Sequence, residues 1–161
     1  MAKKENKTNA MRMLDRAKVP YQVVTYEVDE EDLSGEHAAQ VTGMDPDTMF
    51  KTLVLRGDKT GYVVACIPVL ATLDLKALAR VSGNKKVEMI HVKELQPLTG
   101  YVRGGCSPVG MKKEFPTYMD ETVELWEKVA LSGGQRGMQI VVAPQDILRV
   151  TRAKVAPLTM E

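Results

Sequence analysis

Cysteine and histidine are both scarce in this chain, which holds two of each in 161 residues. Cys66 and Cys106 lie far apart and form no C-x-x-C pair, and the histidines are His37 and His91. Structural zinc sites need clustered cysteines and histidines, and disulfide-stapled domains need more cysteines. We therefore expect neither a disulfide framework nor a bound metal ion or cofactor.

Long apolar runs are also missing. No stretch approaches the roughly 20 apolar residues of a membrane-spanning helix. Residues 1–7 are polar and include Lys3, Lys4 and Lys7, whereas a secretory signal has an apolar core. We expect a cytoplasmic protein without a membrane partner.

Neither sign of charge dominates, since 22 Lys and Arg residues stand against 21 Asp and Glu residues for a net charge of +1. This balance does not imply a nucleic-acid partner, and it is compatible with a local basic face. The chain is long enough for one domain, and 44% of its residues are apolar. We expect a flexible N-terminal segment, residues 1–9, and a single domain over residues 10–161.

Periodicity and capping signals predict several short helices. One covers residues 10–17, a second begins at Ser34 and ends at Gly43, and a third covers residues 74–81, from Asp74 at its start to Gly83 beyond its end. Further helices or helical turns are predicted near residue 46 and over residues 92–95, 122–128 and 144–148.

The clearest strand signal is a hairpin with arms over residues 49–56 and 62–68. Further strands are predicted over residues 21–28, 87–90, 118–119, 129–131, 139–142 and 150–155, with a loop of edge-strand character over residues 99–110. Short strands and small helices without regular β-α-β alternation predict an α+β fold. In this fold, short helices decorate a curved mixed β-sheet or barrel.

Lys51 stands out because it lies inside an apolar strand pattern. The strand pleat places it on one face with Leu53 and Leu55. Two interpretations remain open: a sheet-edge lysine whose ammonium group reaches solvent, or a cation at the mouth of a pocket.

Two glycine-rich loops, residues 104–110 and 132–134, are the other candidate functional segments. Each is compatible with an ordinary turn or with backbone N–H groups aimed at an oxygen atom, as in an oxyanion hole. Ser107 adds a hydroxyl group to the first loop. Together with Lys51, the loops suggest one pocket for a small polar group or phosphate.

An ordered series of segments resembles the YbaK/EbsC family, and the resemblance spans residues 10–155. The segments are Phe50-Lys51-Thr52-Leu53, Leu73-Asp74-Leu75-Lys76, Lys85-Lys86-Val87-Glu88-Met89, residues 99–113 and Ser132-Gly133-Gly134-Gln135-Arg136-Gly137. The resemblance implies a trans-editing aminoacyl-tRNA deacylase, in the branch that hydrolyses Cys-tRNA(Pro). Such enzymes complement synthetase pockets that discriminate poorly between small side chains. Mischarged tRNA, chiefly tRNA(Pro), is then the expected partner, and prolyl-tRNA synthetase is a second candidate.

The resemblance also implies roles for individual residues. Lys51 is the central active-site residue, Tyr26 and Thr52 line the pocket, and Ser132 is a candidate contact. The glycines that shape the pocket are Gly104, Gly105, Gly133 and Gly134. In this branch the substrate's own thiol attacks its ester carbonyl while the protein holds the reacting atoms, so orientation alone supplies a large effective molarity.

Two positions depart from the family pattern. Gln139 stands where several members have an aspartate, which removes a charge and leaves the aminoacyl specificity open. Cys106 replaces an aliphatic residue. A nucleophilic cysteine needs an activating base, and no sequence feature brings His37 or His91 near it, so we interpret Cys106 as a small apolar filler.

Four basic residues in or beside the loops are candidate RNA contacts: Arg103, Lys112, Lys113 and Arg136. Local clusters of this kind are sufficient to neutralise phosphates, and they are equally compatible with solvated surface charges.

The leading hypothesis is deacylation of mischarged tRNA. The alternatives are a deacylase for alanine or serine, a non-catalytic protein that binds tRNA, a nucleotide or a synthetase, and a hydrolase that depends on Cys106.

Overall fold

The computed structural model describes residues 7–160, which form five α-helices and eight β-strands. The helices are α1 (Asn9–Arg16), α2 (Gly35–Thr42), α3 (Leu75–Ser82), α4 (Val92–Thr99) and α5 (Pro144–Thr151). The strands are β1 (Gln22–Thr25), β2 (Phe50–Gly57), β3 (Gly61–Pro68), β4 (Val87–Met89), β5 (Thr117–Asp120), β6 (Val129–Ser132), β7 (Met138–Val142) and β8 (Lys154–Ala156). Short 3₁₀ helices cover Pro46–Thr48 and Glu121–Leu125.

A five-stranded mixed sheet has the strand order β4-β2-β3-β5-β8. Its first three strands are antiparallel neighbours, whereas β3, β5 and β8 run parallel to one another. A three-stranded antiparallel sheet has the order β1-β7-β6. The predicted α+β class with a mixed sheet is therefore confirmed, but the described strands divide into two open sheets and form no closed barrel.

The β2–β3 hairpin is the predicted one, and each face of it packs into a different part of the core. Phe50 and Val54 belong to the larger apolar cluster, whereas Leu53 and Leu55 belong to a second one. This alternation follows from the period of two of a β-strand. The hairpin is therefore buried on both faces.

Buried Asn84 holds the hairpin turn in place. Its Oδ1 accepts hydrogen bonds from the N–H groups of Lys59 (2.8 Å) and Thr60 (3.0 Å). A Cβ atom on Gly57 would lie 2.4 Å from Asn84 Nδ2, so a larger residue there would displace the Asn84 side chain. The turn at the far end of β2 is thus rigidly connected to the end of α3.

The outer edge of β2 changes partner along its length. At its far end, Leu55, Arg56 and Gly57 pair with β4, and the N–H of Ile90 donates to the carbonyl of Val54 (3.3 Å). Just before its start, Met49 forms a parallel bridge with Ala130 of β6. Within the described residues, the segment between them, residues 50–53, has no strand neighbour on this side.

Helix starts and stops follow the predicted capping residues. The hydroxyl of Ser34 accepts from the N–H of His37 (3.1 Å) at the start of α2, and Asp74 accepts from Ala77 N–H (3.1 Å) at the start of α3. Gly43 and Gly83 end these helices with φ angles of 73° and 81°. In this left-handed region glycine carries no steric penalty.

Several predicted elements were partly wrong. Residues 150–151 were assigned to a strand but complete α5, which ends with Arg152 in the left-handed region (φ 56°), and β8 begins only at Lys154. The predicted turn over residues 92–95 extends to Thr99 despite Pro97, and the helix predicted over residues 122–128 is a 3₁₀ helix over Glu121–Leu125. Residues 100–110 form a loop as predicted, but it contains no strand.

Of the N-terminal segment 1–9, residues 1–6 lie outside the described residues. Thr8 caps α1, and Asn9 is its first residue. Between residues 7 and 160, none of the helices has the length and apolar character that a membrane span requires.

Asp120 holds the C-terminal segment against the sheet. Its carboxylate accepts hydrogen bonds from the N–H of Leu158 (2.9 Å) and from the N–H and hydroxyl of Thr122 (3.2 and 2.7 Å). The residue is only 1% exposed. A buried carboxylate with three donors is a stabilising junction, and its removal leaves those donors without a partner.

Asp120→Ala should therefore lower the free energy of unfolding by about 2–4 kcal/mol, because buried donors lose their acceptor. The measurement is urea-induced unfolding. The matched control is Glu121→Ala at the adjacent exposed position, for which we expect a change within about 0.5 kcal/mol. Equal effects of the two substitutions would contradict the assigned role.

Candidate functional site

A cavity of about 480 Å³ lies where β2 has no strand neighbour. Residues 50–53 of β2 form one wall, and Ser132 and Gln139 of the three-stranded sheet form another. The loop around Gly104 and the start of α2 complete it. A volume of this size suits a small molecule or the end of a larger one.

Lys51 lies on this wall and is partly buried. Among the described residues, none forms an ion pair or hydrogen bond with its ammonium group. Burial lowers the pKa of Lys51 from its ordinary value of 10.5, because desolvation disfavours the charged form. An unpaired cation at a cavity wall is well placed to bind an anionic or strongly polar group.

The structure brings several other predicted residues to the same cavity. Tyr26, Thr52, Gly104, Ser132 and also Arg103 line it together with Lys51. These residues come from four separate parts of the chain: the position after β1, β2, the loop around Gly104, and the end of β6, where the second glycine-rich loop begins.

Gly104 and Cys106 are the residues of the first loop that line the cavity. Within residues 7–160, neither of their backbone N–H groups has a hydrogen-bond acceptor. Free backbone donors at a cavity wall are suited to an oxygen atom that gains negative charge during a reaction.

Four predicted pocket residues do not line the cavity. The N–H groups of Gly105 and Gly133 donate to the carbonyls of Val102 and Met138 (both 2.9 Å), and that of Gly134 donates to the hydroxyl of Ser132 (3.2 Å). Ser107 is fully buried, and its hydroxyl accepts from the N–H of Val109 (3.2 Å). These groups are engaged within the protein, so their direct role is to shape the loops.

The two loops touch backbone to backbone. A Cβ atom on Gly105 would lie 2.9 Å from the backbone nitrogen of Arg136 and from Gln135, a distance that real Cβ atoms essentially never show. Arg136 stabilises the contact, because its Nε donates a hydrogen bond to the carbonyl of Arg103 (2.8 Å). Its guanidinium group also forms an ion pair with Glu30 (3.2 Å).

The predicted RNA contacts are spread over the surface. Arg103 borders the main cavity, and Arg136 borders a smaller one beside it. Lys112 is exposed and reaches the carbonyl of Pro97 (3.4 Å), and Lys113 borders a third, separate cavity. The structure therefore does not bring these four residues into one cluster at the cavity.

The acidic rim of the cavity is a feature that the sequence interpretation missed. Glu31, Asp32 and Glu36 line it, and none of them is among the predicted pocket residues. Hydrogen bonds from the hydroxyl and N–H of Ser34 lower the pKa of Asp32. One signal in the sequence points to this acidic rim: residues 19–50 contain many acidic residues and no lysine or arginine.

Cys106 lines the cavity but is not activated. Burial raises the pKa of its thiol to about 12, and only a weaker hydrogen bond with Thr99 opposes this. At neutral pH the thiol stays protonated, whereas nucleophilic cysteines act as thiolates. In the described part of the chain, no group of three or more His, Cys, Asp or Glu side chains is arranged to hold a metal ion.

Comparison with known proteins places this site in a family. Residues 30–150 match the model of the aminoacyl-tRNA editing domain. The chain is 52% identical to an Enterococcus faecalis protein named "Putative Cys-tRNA(Pro)/Cys-tRNA(Cys) deacylase EbsC", over 99% of this chain and 98% of that protein. It is 29% identical to proline–tRNA ligase of Shouchella clausii over 74% of this chain and 21% of the ligase.

A solved structure gives the same picture. The crystal structure of "a putative trans-editing enzyme for prolyl tRNA synthetase" is 26% identical, with a TM-score of 0.82 over 98% of this chain and 100% of that one. The match of the family model extends over most of the chain and includes Lys51, the loop around Gly104 and Gln139. The chain therefore belongs to the aminoacyl-tRNA editing domain family.

Proposed function

We propose that the protein is a trans-editing hydrolase that removes wrongly attached small amino acids, cysteine above all, from tRNA(Pro). The observation that carries the proposal is Lys51, a partly buried cation without a partner among the described residues, on a cavity of about 480 Å³. The similarity to the EbsC protein supports the substrate class.

The cavity has the size of an aminoacyl-adenosine end and excludes an RNA helix. The rest of the tRNA then stays outside, where Arg103, Lys112 and Lys113 are available to its phosphates. Arg136 is engaged with Glu30 and the first loop, so its contribution to RNA binding is secondary to its structural one.

Lys51 is proposed to contact the terminal ribose, phosphate or ester region. The N–H groups of Gly104 and Cys106 then donate to the ester carbonyl oxygen as it gains negative charge. Tyr26, Thr52 and Ser132 bound the space around the acyl group. Gly105, Ser107, Gly133 and Gly134 support these walls from behind.

The chemistry itself comes from the substrate. The cysteinyl sulfur attacks its own ester carbonyl carbon, a C–S bond forms, the C–O bond to the ribose breaks, and the thiol proton passes to the ribose oxygen. Water then opens the cyclic thioester and releases cysteine. The protein contributes orientation, which is worth a large effective molarity, and it needs no nucleophile of its own.

A deacylation panel tests the proposal directly. The protein is incubated with Cys-tRNA(Pro), Ala-tRNA(Pro) and serine-charged tRNA, and loss of the ester is followed. We expect Cys-tRNA(Pro) to be hydrolysed fastest, because only its side chain supplies an internal thiol. No turnover of any substrate would refute the proposed function.

Lys51→Met removes the charge and keeps an unbranched apolar side chain that is one atom shorter. We expect kcat/KM to fall at least about tenfold because an interaction with the substrate is lost. Lys59→Met, an exposed position on the turn of the same hairpin, is the matched control and should keep full activity. Full activity of Lys51→Met would remove the assigned role of Lys51.

The same variant has an expected effect on stability. Because the folded pKa of Lys51 lies below 10.5, the folded protein binds this proton less tightly than the unfolded chain, and stability rises with pH between the lowered pKa and 10.5. Lys51→Met should abolish this rise without lowering the unfolding temperature at neutral pH. Unfolding measured from pH 7 to pH 10.5 checks it.

Cys106→Ser distinguishes the proposal from a cysteine hydrolase. We expect activity within about threefold of the original protein, because a thiol with a pKa of about 12 supplies no thiolate at neutral pH. Loss of activity by several orders of magnitude, with an unchanged unfolding temperature, would instead identify Cys106 as the nucleophile.

A further inference from the structure

We propose that Gln139 recognises the side chain of the acyl group, and that this amide selects substrates with one neutral hydrogen-bonding group, a thiol or a hydroxyl. The inference rests on the proposed function and goes further, since it names the residue that distinguishes cysteine and serine from alanine.

The burial and bonding of Gln139 are the starting point. The residue lines the cavity and is only 8% exposed. Within residues 7–160, nothing hydrogen-bonds to its side-chain amide. Among the described side chains, only Trp126 has a fully enclosed polar atom without a partner, so the amide atoms of Gln139 keep contact with the open space of the cavity. Its free donor and acceptor are therefore available to a ligand.

The lining residues differ in exposure, so the cavity has an exposed mouth and a buried floor. Arg103, Glu31 and Glu36 are exposed at its mouth, whereas Met49 (1%), Phe50 (3%) and Gln139 (8%) form its floor. The charged end of a tRNA has to remain near the mouth, because burying phosphate charge is unfavourable. The small acyl side chain is the part that reaches the floor.

The buried residues of the lining are uncharged, and apart from the protonated thiol of Cys106 their only polar side chain among the described residues is that of Gln139. A substrate α-ammonium group finds carboxylates at the rim, in Glu31, Asp32 and Glu36, so the neutral amide is left for the side chain. Gln139 also lies directly opposite Ser132 in the β6–β7 pairing, which holds its backbone in a regular strand.

This arrangement favours a side chain with a single polar atom. A thiol or hydroxyl donates to Oε1 of Gln139 or accepts from its Nε2, whereas a methyl group leaves the amide without a partner. Sites that hydrogen-bond a substrate group discriminate strongly against the analogue that lacks it.

The test uses adenosines that carry cysteine, serine or alanine through a 3′-amide, because these do not hydrolyse and report binding alone. We expect the original protein to bind the cysteinyl and seryl compounds about tenfold more tightly than the alanyl compound. In Gln139→Leu, which keeps the volume and removes the amide, the ratio should fall to within about twofold of one. Nuclear magnetic resonance titrations supply the dissociation constants.

Gln22→Leu, an exposed position on β1 outside the cavity, is the matched control and should keep the original ratio. If Gln139→Leu does not fold, as judged by its thermal transition, Gln139→Met replaces it. An original ratio near one, or a ratio that survives in the folded variant, would overturn the assignment.

The binding ratio separates this inference from the proposed function. Turnover in the deacylation panel with an unchanged ratio would refute the role of Gln139 alone. A ratio that depends on Gln139 without any turnover would support the recognition role and refute the hydrolase.

Discussion

The candidate site depends on one constraint, the change of partner along the outer edge of β2. Met49, just before the strand, is bridged to the three-stranded sheet, and the strand is paired with β4 from Leu55 onward, with a further hydrogen bond from Ile90 to Val54. Residues 50–53 lie between these two paired regions and line the cavity. Both ends of the segment are fixed by backbone hydrogen bonds, so the opening does not require a flexible loop. Lys51 is held on a rigid strand, which is the arrangement that accurate positioning of a functional group needs.

The glycine-rich loops act mainly as structural walls. Gly105 allows the two loops to touch backbone to backbone, and Gly134 brings the second loop against Thr8 and Tyr101. Thr8 at the start of α1 also donates its hydroxyl hydrogen to the carbonyl of Gly133. The N-terminal helix thereby braces a loop that follows the cavity residue Ser132. The N–H groups of Gly105, Gly133 and Gly134 are engaged within the protein, whereas those of the cavity-lining residues Gly104 and Cys106 have no acceptor among the described residues.

Acidic and basic side chains lie on different sides of the cavity. The net charge of the whole chain is only +1, yet acidic side chains from one segment form one rim of the cavity while Lys51 and Arg103 lie on other parts of its wall. A substrate that carries both an ammonium group and a phosphate fits such a divided rim. The lowered pKa of Lys51 shows that this placement costs stability, and functional residues commonly carry such a cost.

Local signals accounted for most elements and for part of the site. Ser34, Gly43, Asp74 and Gly83 predicted helix ends correctly, because capping depends on a few neighbouring atoms. The division into two sheets, the extension of α4 past Pro97 and the end of α5 at Arg152 depend on packing, so periodicity did not predict them.

The sequence by itself determined the hairpin that carries Lys51, the two glycine-rich loops and the resemblance to an editing family. Only the tertiary structure decided which of these residues face the cavity. Gly104 and Ser132 line it, whereas their neighbours Gly105 and Gly133 do not. In the sequence, Gln139 is only a position that departs from the family motif. In the structure, its side-chain amide lies on the cavity floor without a hydrogen-bond partner among the described residues. The physical reason is that motif membership follows from chain neighbours, whereas burial and hydrogen-bond satisfaction depend on segments distant in sequence.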